Sequence, residues 1–201
     1  FDQENWEGAS ATFNALLTAF PDYANPERIR FLIAECAEKA GKNKEAIKLY
    51  KAVVDAAPLS AAAIESKFRM AKLYEAEKDM DNAKALYQEV ADTNTGEPAA
   101  QARLRLGELC EAAKEYEAAA KQYMYIEILL LHEKLSPEAL WRAGQCYEKA
   151  GSLEQATRAY RDVAEGYPDS EQAGKAKERL AQFEAAPPVG AGAPAQPAAA
   201  Q

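Results

Sequence analysis

The stretch "ALWRAGQCYEKAGSLEQATRAYRDVAEGYP", from Ala139 to Pro168, carries the strongest structural signal in the chain. Its apolar and small residues recur at intervals of three and four, which is the period of an α-helix with one buried face. Gly151-Ser152 interrupts this pattern once, so the stretch predicts two helices joined by a short polar corner. Gly144 and Ala156 are small where two such helices would cross closely, and Tyr160 would fill the adjoining space.

One helix signature is repeated along the chain. An alanine followed four residues later by an aromatic residue occurs in five places, separated by 37, 37, 36 and 37 residues. The five copies are Ala9 with Phe13, Ala46 with Tyr50, Ala83 with Tyr87, Ala119 with Tyr123, and Ala156 with Tyr160. So constant an interval indicates one supersecondary unit that stacks on its neighbours, because such a unit cannot bury its apolar face alone.

This pattern resembles the tetratricopeptide repeat. The matching residues in the last copy are Leu140, Ala143, Gly144, Tyr147, Ala156, Tyr160 and Pro168. The resemblance covers most of residues 5–184 and implies an all-α fold, namely a right-handed α-solenoid of antiparallel helix pairs. It also implies that the first helix of each pair lines a concave groove, whereas the second helix lines the convex back.

The repeat interval also predicts how the chain is divided. A half repeat is expected at residues 1–22, followed by full repeats at about 25–59, 60–96, 97–135 and 136–169. A capping helix is expected at 170–184, where apolar residues keep to one side. Residues 185–201 are rich in Ala and Pro without periodicity, which predicts a disordered tail or linker. Because the half repeat contains only a second helix, we expect its partner helix upstream of Phe1. Self-association through this incomplete repeat is a further interpretation that the sequence leaves open.

The composition argues against several classes of function. The net charge is −8, whereas binding to nucleic-acid phosphates requires an excess of basic residues. No segment reaches the roughly 20 consecutive apolar residues of a membrane span. His132 is the single histidine, so it is the one residue that could serve as the base of a Ser/His or Cys/His nucleophile pair. Cys36, Cys110 and Cys146 lack the CxxC spacing of metal or redox sites. We therefore expect no catalysis, no cofactor, no metal and no nucleic-acid partner.

The predicted first helices carry the candidates for peptide binding. When the small residue of each repeat is numbered eight, the sixth position holds arginine in three of the four full repeats and the twelfth always holds glutamate. Arginine forks suit carboxylates and peptide backbones. Together with residues at the fifth and ninth positions, the candidates are Phe68, Arg69, Lys72, Arg105, Glu108, Trp141, Arg142 and Gln145. The alternative is that the arginines pair with neighbouring glutamates and that the aromatic residues only pack between helices.

The run "YMYIEILLLHEKL", from Tyr123 to Leu135, is more apolar than its counterparts in the other repeats. The four apolar residues that set it apart are Met124, Tyr125, Ile128 and Leu129. If the second helices line the convex back, these residues form a contact surface for a partner, or they are covered by the joint that follows. The sequence leaves both interpretations open.

The joints between repeats resemble one branch of the superfamily. "FPDYANPERIR" and "YPDSEQAGKAKERL", with a repeat of about 37 residues, are similar to bacterial cell-envelope proteins of the outer membrane and periplasm of the BamD and YbgF type. This resemblance implies a non-catalytic scaffold that binds an extended peptide or a partner protein in envelope assembly or maintenance, in the periplasm or on the periplasmic face of the outer membrane. The alternatives are a cytoplasmic scaffold, which three free cysteines would suit, and a helical appendage of an enzyme whose catalytic domain lies upstream.

Overall fold

The computed structural model describes residues 5–93, 96–127 and 135–185, and within these ranges the chain forms ten α-helices and no β-strand. The helices are α1 (Trp6–Ala19), α2 (Pro26–Lys39), α3 (Asn43–Ala56), α4 (Ala61–Ala76), α5 (Met80–Thr93), α6 (Glu97–Ala112), α7 (Tyr116–Tyr125), α8 (Ser136–Lys149), α9 (Leu153–Gly166) and α10 (Glu171–Ala185). Each helix packs against the next one in the chain. The predicted all-α fold is confirmed. Apart from Ala185, the predicted tail lies outside the described residues.

The even-numbered helices lie beside one another. Contacts between alternate helices join α2 to α4, α4 to α6 and α8 to α10, whereas in the described part of the chain the odd-numbered helices make no contacts of this extent with one another. Closer approach within one row curves the stack towards that row. We therefore call α2, α4, α6, α8 and α10 the inner helices and the others the outer helices. None of the described helices is long and apolar enough to cross a membrane.

The corner between an inner helix and the next outer helix has the same backbone conformation in all four full repeats. The residue at this corner has a positive φ, and the four are Gly41 (74°), Lys78 (63°), Lys114 (62°) and Gly151 (77°). Glycine adopts this left-handed conformation freely because it has no Cβ. In the two middle repeats a lysine adopts it instead, at a cost of about 1–2 kcal/mol.

The repeated aromatic residue forms the centre of each repeat. Four copies of it, Tyr50, Tyr87, Tyr123 and Tyr160, are fully buried, as is the alanine four residues before each. In α1 the equivalent Ala9 and Phe13 are partly exposed, and that helix has no buried residue. The core therefore extends from α2 to α10 and leaves the apolar face of α1 partly open. Self-association through α1 remains a prediction.

Two glycines allow inner and outer helices to approach closely. A Cβ added at Gly144 would lie 2.6 Å from Cδ1 of Tyr160, and one added at Gly107 would lie 2.7 Å from Cδ1 of Tyr123. Such separations are far shorter than carbon–carbon van der Waals contact. In these two repeats the tyrosine ring therefore lies too close to the inner helix to leave space for a Cβ at this position.

Candidate peptide-binding groove

Three cavities follow one another along the inner helices. The first has a volume of about 680 Å³ and includes Arg69 in its lining. The second, of about 390 Å³, is lined by four of the predicted residues: Phe68, Lys72, Arg105 and Glu108. The third, of about 380 Å³, includes Trp141 and Gln145. We call this row of cavities the inner groove, and seven of the eight predicted groove residues line it.

The remaining predicted residue, Arg142, links the second and third cavities. Its Nη1 donates to Oε1 of Glu108 at 2.7 Å, and so it joins α8 to α6. Arg105 donates to the other oxygen of the same carboxylate at 2.8 Å. Glu108 is thus held between two arginines from consecutive inner helices. The groove is therefore lined by neutralised ion pairs as well as by aromatic side chains.

Arg69 pairs with more carboxylates than Arg105 or Arg142 does. Its three nitrogens contact three carboxylates, those of Glu65 at 3.1 Å, Glu38 at 3.4 Å and Glu35 at 3.5 Å. The guanidinium is partly buried by these contacts, so a ligand that bound it would have to displace a carboxylate. Arg69, Arg105 and Arg142 thus pair with neighbouring glutamates, as in the alternative interpretation of the sequence.

The aromatic residues at the fifth position pack against the repeated tyrosines. The ring centroids of Phe68 and Tyr87 are 5.6 Å apart, and those of Trp141 and Tyr160 are 5.0 Å apart. Phe68 is only 7% exposed, so it supports the floor of the groove. Trp141 is partly exposed and is available to a ligand.

Each repeated tyrosine also donates a hydrogen bond to a glutamate at the twelfth position of its own repeat. The four bonds are Tyr50 to Glu38 (2.6 Å), Tyr87 to Glu75 (2.8 Å), Tyr123 to Glu111 (3.3 Å) and Tyr160 to Glu148 (2.9 Å). Burial and the adjacent carboxylate raise the pKa of Tyr160 above its usual range, so this phenol stays a neutral donor. These bonds tie the tyrosine core to the floor of the groove.

Arg179 on α10 extends the arginine row beyond the predicted positions. It lies 37 residues after Arg142, and its Nε donates to Oε2 of Glu148 at 3.0 Å. The constant interval was the signal that would have revealed this residue. The interpretation of α10 as a capping helix gave it no place in the arginine row.

We expect the Glu148→Gln variant to lose stability at neutral pH and to respond less to acid. The hydrogen bond from Arg179 is the main influence that lowers the pKa of Glu148; burial opposes it, and the bond from Tyr160 adds to it. An unfolded glutamate titrates near about 4.3. Since the folded pKa is lower, the unfolded chain binds more protons as pH falls, and this contribution to stability is present above the unfolded pKa and disappears below the folded pKa.

At pH 7 we expect Glu148→Gln to lower the free energy of unfolding by about 0.5–1 kcal/mol, a value typical of a partly exposed ion pair. Urea denaturation between about pH 7 and pH 3 measures it, with Glu184→Gln as the control because Glu184 is an exposed carboxylate on α10, the helix that carries Arg179. If acid destabilised the wild type and Glu148→Gln equally, Glu148 would not be the carboxylate whose lowered pKa contributes to stability.

Lys72 and Gln145 are two of the predicted groove residues that stay accessible. Lys72 is exposed and, among the described residues, has no carboxylate within ion-pairing distance. Gln145 is partly exposed in the third cavity. A peptide can contact these two side chains, and Trp141 beside them, without breaking an intramolecular ion pair.

The outer candidates are only partly within the described structure. Tyr125 is 41% exposed, and the guanidinium carbon of Arg103 lies 4.6 Å from its ring centroid. Met124 is partly buried and packs against two core clusters. Ile128 and Leu129 lie outside the described residues. The apolar patch as a whole therefore remains a prediction.

Arg103 is a residue that the sequence analysis did not identify. It is 8% exposed although it carries a charge, and it donates to Asp92 at 2.7 Å and to Gln122 at 2.8 Å. A buried cation needs such partners because desolvation is costly. Arg103 thus joins α5, α6 and α7, and it fixes the ring of Tyr125.

The cysteines have the character of buried apolar residues. Cys36 and Cys146 are buried, Cys110 is partly exposed, and all three are free. Burial raises the pKa of each thiol, that of Cys146 to about 11. Thiolate, the reactive form, is therefore scarce at neutral pH. Within the described ranges, no group of three or more His, Cys, Asp or Glu side chains is placed to hold a metal ion.

Stacked helix pairs with a groove along one row of helices define an α-solenoid of the repeat type. A tetratricopeptide repeat family model matches residues 1–61 and 68–127, which is more than half of the chain, and a second tetratricopeptide repeat model matches residues 138–170. The chain belongs to the tetratricopeptide repeat family.

Solved structures share this fold at low sequence identity. BtubC from P. vanneervenii is similar with a TM-score of 0.60 and 14% identity, over 98% of this chain and 82% of that one. MamA has a TM-score of 0.58 and 19% identity, over 90% and 87%. A tetratricopeptide repeat protein from Parabacteroides merdae has a TM-score of 0.59 and 14% identity, over 90% and 68%. No curated protein matches the chain. At these identities the likeness shows the fold alone.

Proposed function

We propose that this chain is a non-catalytic scaffold that binds an extended segment of a partner protein in the inner groove. Proteins of the tetratricopeptide repeat family generally mediate protein–protein interactions. The observation that carries the proposal is the row of cavities along the inner helices, in which Lys72, Trp141 and Gln145 remain accessible. An extended peptide is the ligand whose length and shape suit such a row.

The charges of the groove narrow the chemistry of the ligand. Arg69, Arg105 and Arg142 are already paired with glutamates, so neither sign of charge is in large excess along the floor. Recognition then rests on peptide backbone polar groups, on apolar contact with Trp141, and on the exposed cations Lys72 and Arg28. The ligand is an extended segment of modest net charge with a carboxylate placed opposite Lys72.

The same proposal places the protein in the bacterial cell envelope, where it would serve assembly or maintenance. Its support is the resemblance of the joints, such as the Tyr167–Ser170 turn that leads into α10, to envelope members of the superfamily. Free cysteines are the main objection to an oxidising compartment. Their burial and raised pKa values weaken this objection, because a buried thiol reacts slowly with oxidants.

Affinity capture from separate envelope and cytosolic extracts of the source organism tests the proposal. Charge reversal at Arg69, Arg105 or Arg142 is unsuitable as a test of binding, because it would break intramolecular ion pairs. Lys72→Glu reverses an accessible charge instead. We expect it to weaken retention of an envelope partner about tenfold, equivalent to about 1.4 kcal/mol.

Lys48→Glu is the matched control, since Lys48 is also exposed but lies on the outer helix α3. It is expected to retain the partner as wild type does. Equal retention by wild type and Lys72→Glu would contradict binding in the groove, and a partner found only in the cytosolic extract would contradict the envelope location.

A further inference from the structure

A separate cavity of about 330 Å³ lies on the outer side of the stack, between α7 and α9. Its lining consists of Lys121, Met124, Tyr125, Tyr147, Gln155, Arg158 and Ala159. We call it the outer pocket. None of these residues belongs to the inner groove, so its function is independent of the one proposed above.

The apolar part of the outer pocket is held in place by the core. Met124 packs against the core clusters on both sides of it, and Ala159 is 1% exposed. Arg103 stacks on the ring of Tyr125 and is itself fixed by Asp92. The pocket is therefore preformed, and its volume lies within the range of pockets that hold small ligands or large side chains.

The polar part of the outer pocket consists mainly of two cations. Lys121 and Arg158 are exposed, and neither has a carboxylate within ion-pairing distance among the described residues. Even Asp162, one turn further along α9, is not within that distance of Arg158. By contrast, Arg69, Arg105 and Arg142 of the inner groove are each paired with a glutamate.

The two cations line the same pocket because of the repeat. Lys121 lies two residues before Tyr123, and Arg158 lies two residues before Tyr160, so they hold the same position in consecutive repeats. The corresponding positions in the two preceding full repeats hold Lys48 and Ala85. Two neighbouring cations at this position therefore occur only in the last two repeats.

We infer that the outer pocket binds a segment of a partner protein in which a large apolar side chain stands next to a carboxylate. The apolar side chain enters between Met124 and Tyr125, and the carboxylate is bound by Lys121 and Arg158. Charge complementarity favours an acidic segment, because binding gives a carboxylate to two cations that have no ion-pair partner among the described residues. A scaffold with both sites holds two segments at once, one on each side of the stack.

Methionine methyl NMR tests this inference without a known partner. The chain has three methionines: Met124 lines the outer pocket, Met70 is buried elsewhere, and Met80 is 37% exposed on α5. The probe is the peptide acetyl-Glu-Leu-Phe-Asp-amide. We expect a saturable shift of the Met124 methyl signal and none at Met70 or Met80.

Two control peptides separate the two parts of the site. The peptide acetyl-Gln-Leu-Phe-Asn-amide removes the carboxylates, and acetyl-Glu-Ala-Ala-Asp-amide removes the large apolar side chains. Each is expected to bind at least roughly tenfold more weakly than the probe. Equal binding of either control, or no shift of Met124 with the probe, would overturn the inference.

Variants of the two cations complete the test. Lys121→Glu combined with Arg158→Glu is expected to weaken binding of the probe at least roughly tenfold. Lys44→Glu combined with Lys48→Glu makes the same change of charge at exposed residues of α3 and is expected to bind as wild type does. If the first variant does not fold, Lys121→Gln with Arg158→Gln removes the cations without reversing them. Undiminished binding by a folded variant would overturn the role of the cations.

Discussion

Replacing Tyr160 by alanine is expected to lower the free energy of unfolding by about 3–5 kcal/mol. The ring is fully buried, and its centroid lies 5.0 Å from that of Trp141 and 6.0 Å from that of Phe183. Its hydroxyl donates to Glu148 at 2.9 Å. Removal of the side chain leaves a cavity among α8, α9 and α10 and removes one hydrogen bond from Glu148, which stays paired with Arg179. Guanidinium denaturation followed by circular dichroism measures the loss.

Two further variants separate packing from hydrogen bonding at this position. Tyr160→Phe keeps the ring and loses only the bond to Glu148, so we expect a loss of about 0.5–1.5 kcal/mol. Phe20→Ala removes an aromatic side chain that is 60% exposed and is expected to change stability by no more than about 0.5 kcal/mol. If Tyr160→Ala cost no more than Tyr160→Phe, the tyrosine would not be the centre of its repeat.

Gly144→Ala is expected to destabilise the chain by about 1–3 kcal/mol. Alanine is favoured over glycine inside a helix by about 1 kcal/mol, so helix propensity alone predicts the opposite sign. The space decides the outcome, because the new Cβ would lie 2.6 Å from Cδ1 of Tyr160, whose ring is fully buried. Thermal and chemical denaturation both measure whether Gly144→Ala lowers or raises stability.

Gly174 provides the matched control for this prediction. It lies inside α10, and a Cβ added there would meet nothing within 4 Å. Gly174→Ala should therefore stabilise the chain by up to about 1 kcal/mol. An equal gain at Gly144 and Gly174 would show that the close approach of α8 and α9 is not required.

The repetition of the chain made its core predictable. A position that recurs every 36 or 37 residues has the same neighbours in each copy, so the pattern that identified Tyr160 also identified Tyr50, Tyr87 and Tyr123, and all four are fully buried. Phe68 and Trp141 were found in the same way. These residues contact partners within their own repeat, and such contacts depend on helix period and small-residue spacing alone.

Contacts between repeats were less predictable. The pairing of Arg69 with Glu38 depends on how far apart two inner helices lie, which sequence spacing does not fix, and the sequence therefore left peptide binding and ion pairing open. The burial of Arg103 depends on three helices at once. Lys78 and Lys114 adopt the left-handed conformation at their corners although lysine has no local preference for it, so residue type alone did not predict it.

Photo-cross-linking from the two sides of the stack tests most directly whether a partner binds in the inner groove. Benzoylphenylalanine replaces Lys72 or Gln145 in the groove, and replaces Lys48 on the outer helix α3 as the comparison. We predict that both groove positions form cross-links to the same partner in a cell-envelope extract and that the outer position forms none. Cross-links to that partner from Lys48 and from neither groove position would contradict binding in the inner groove.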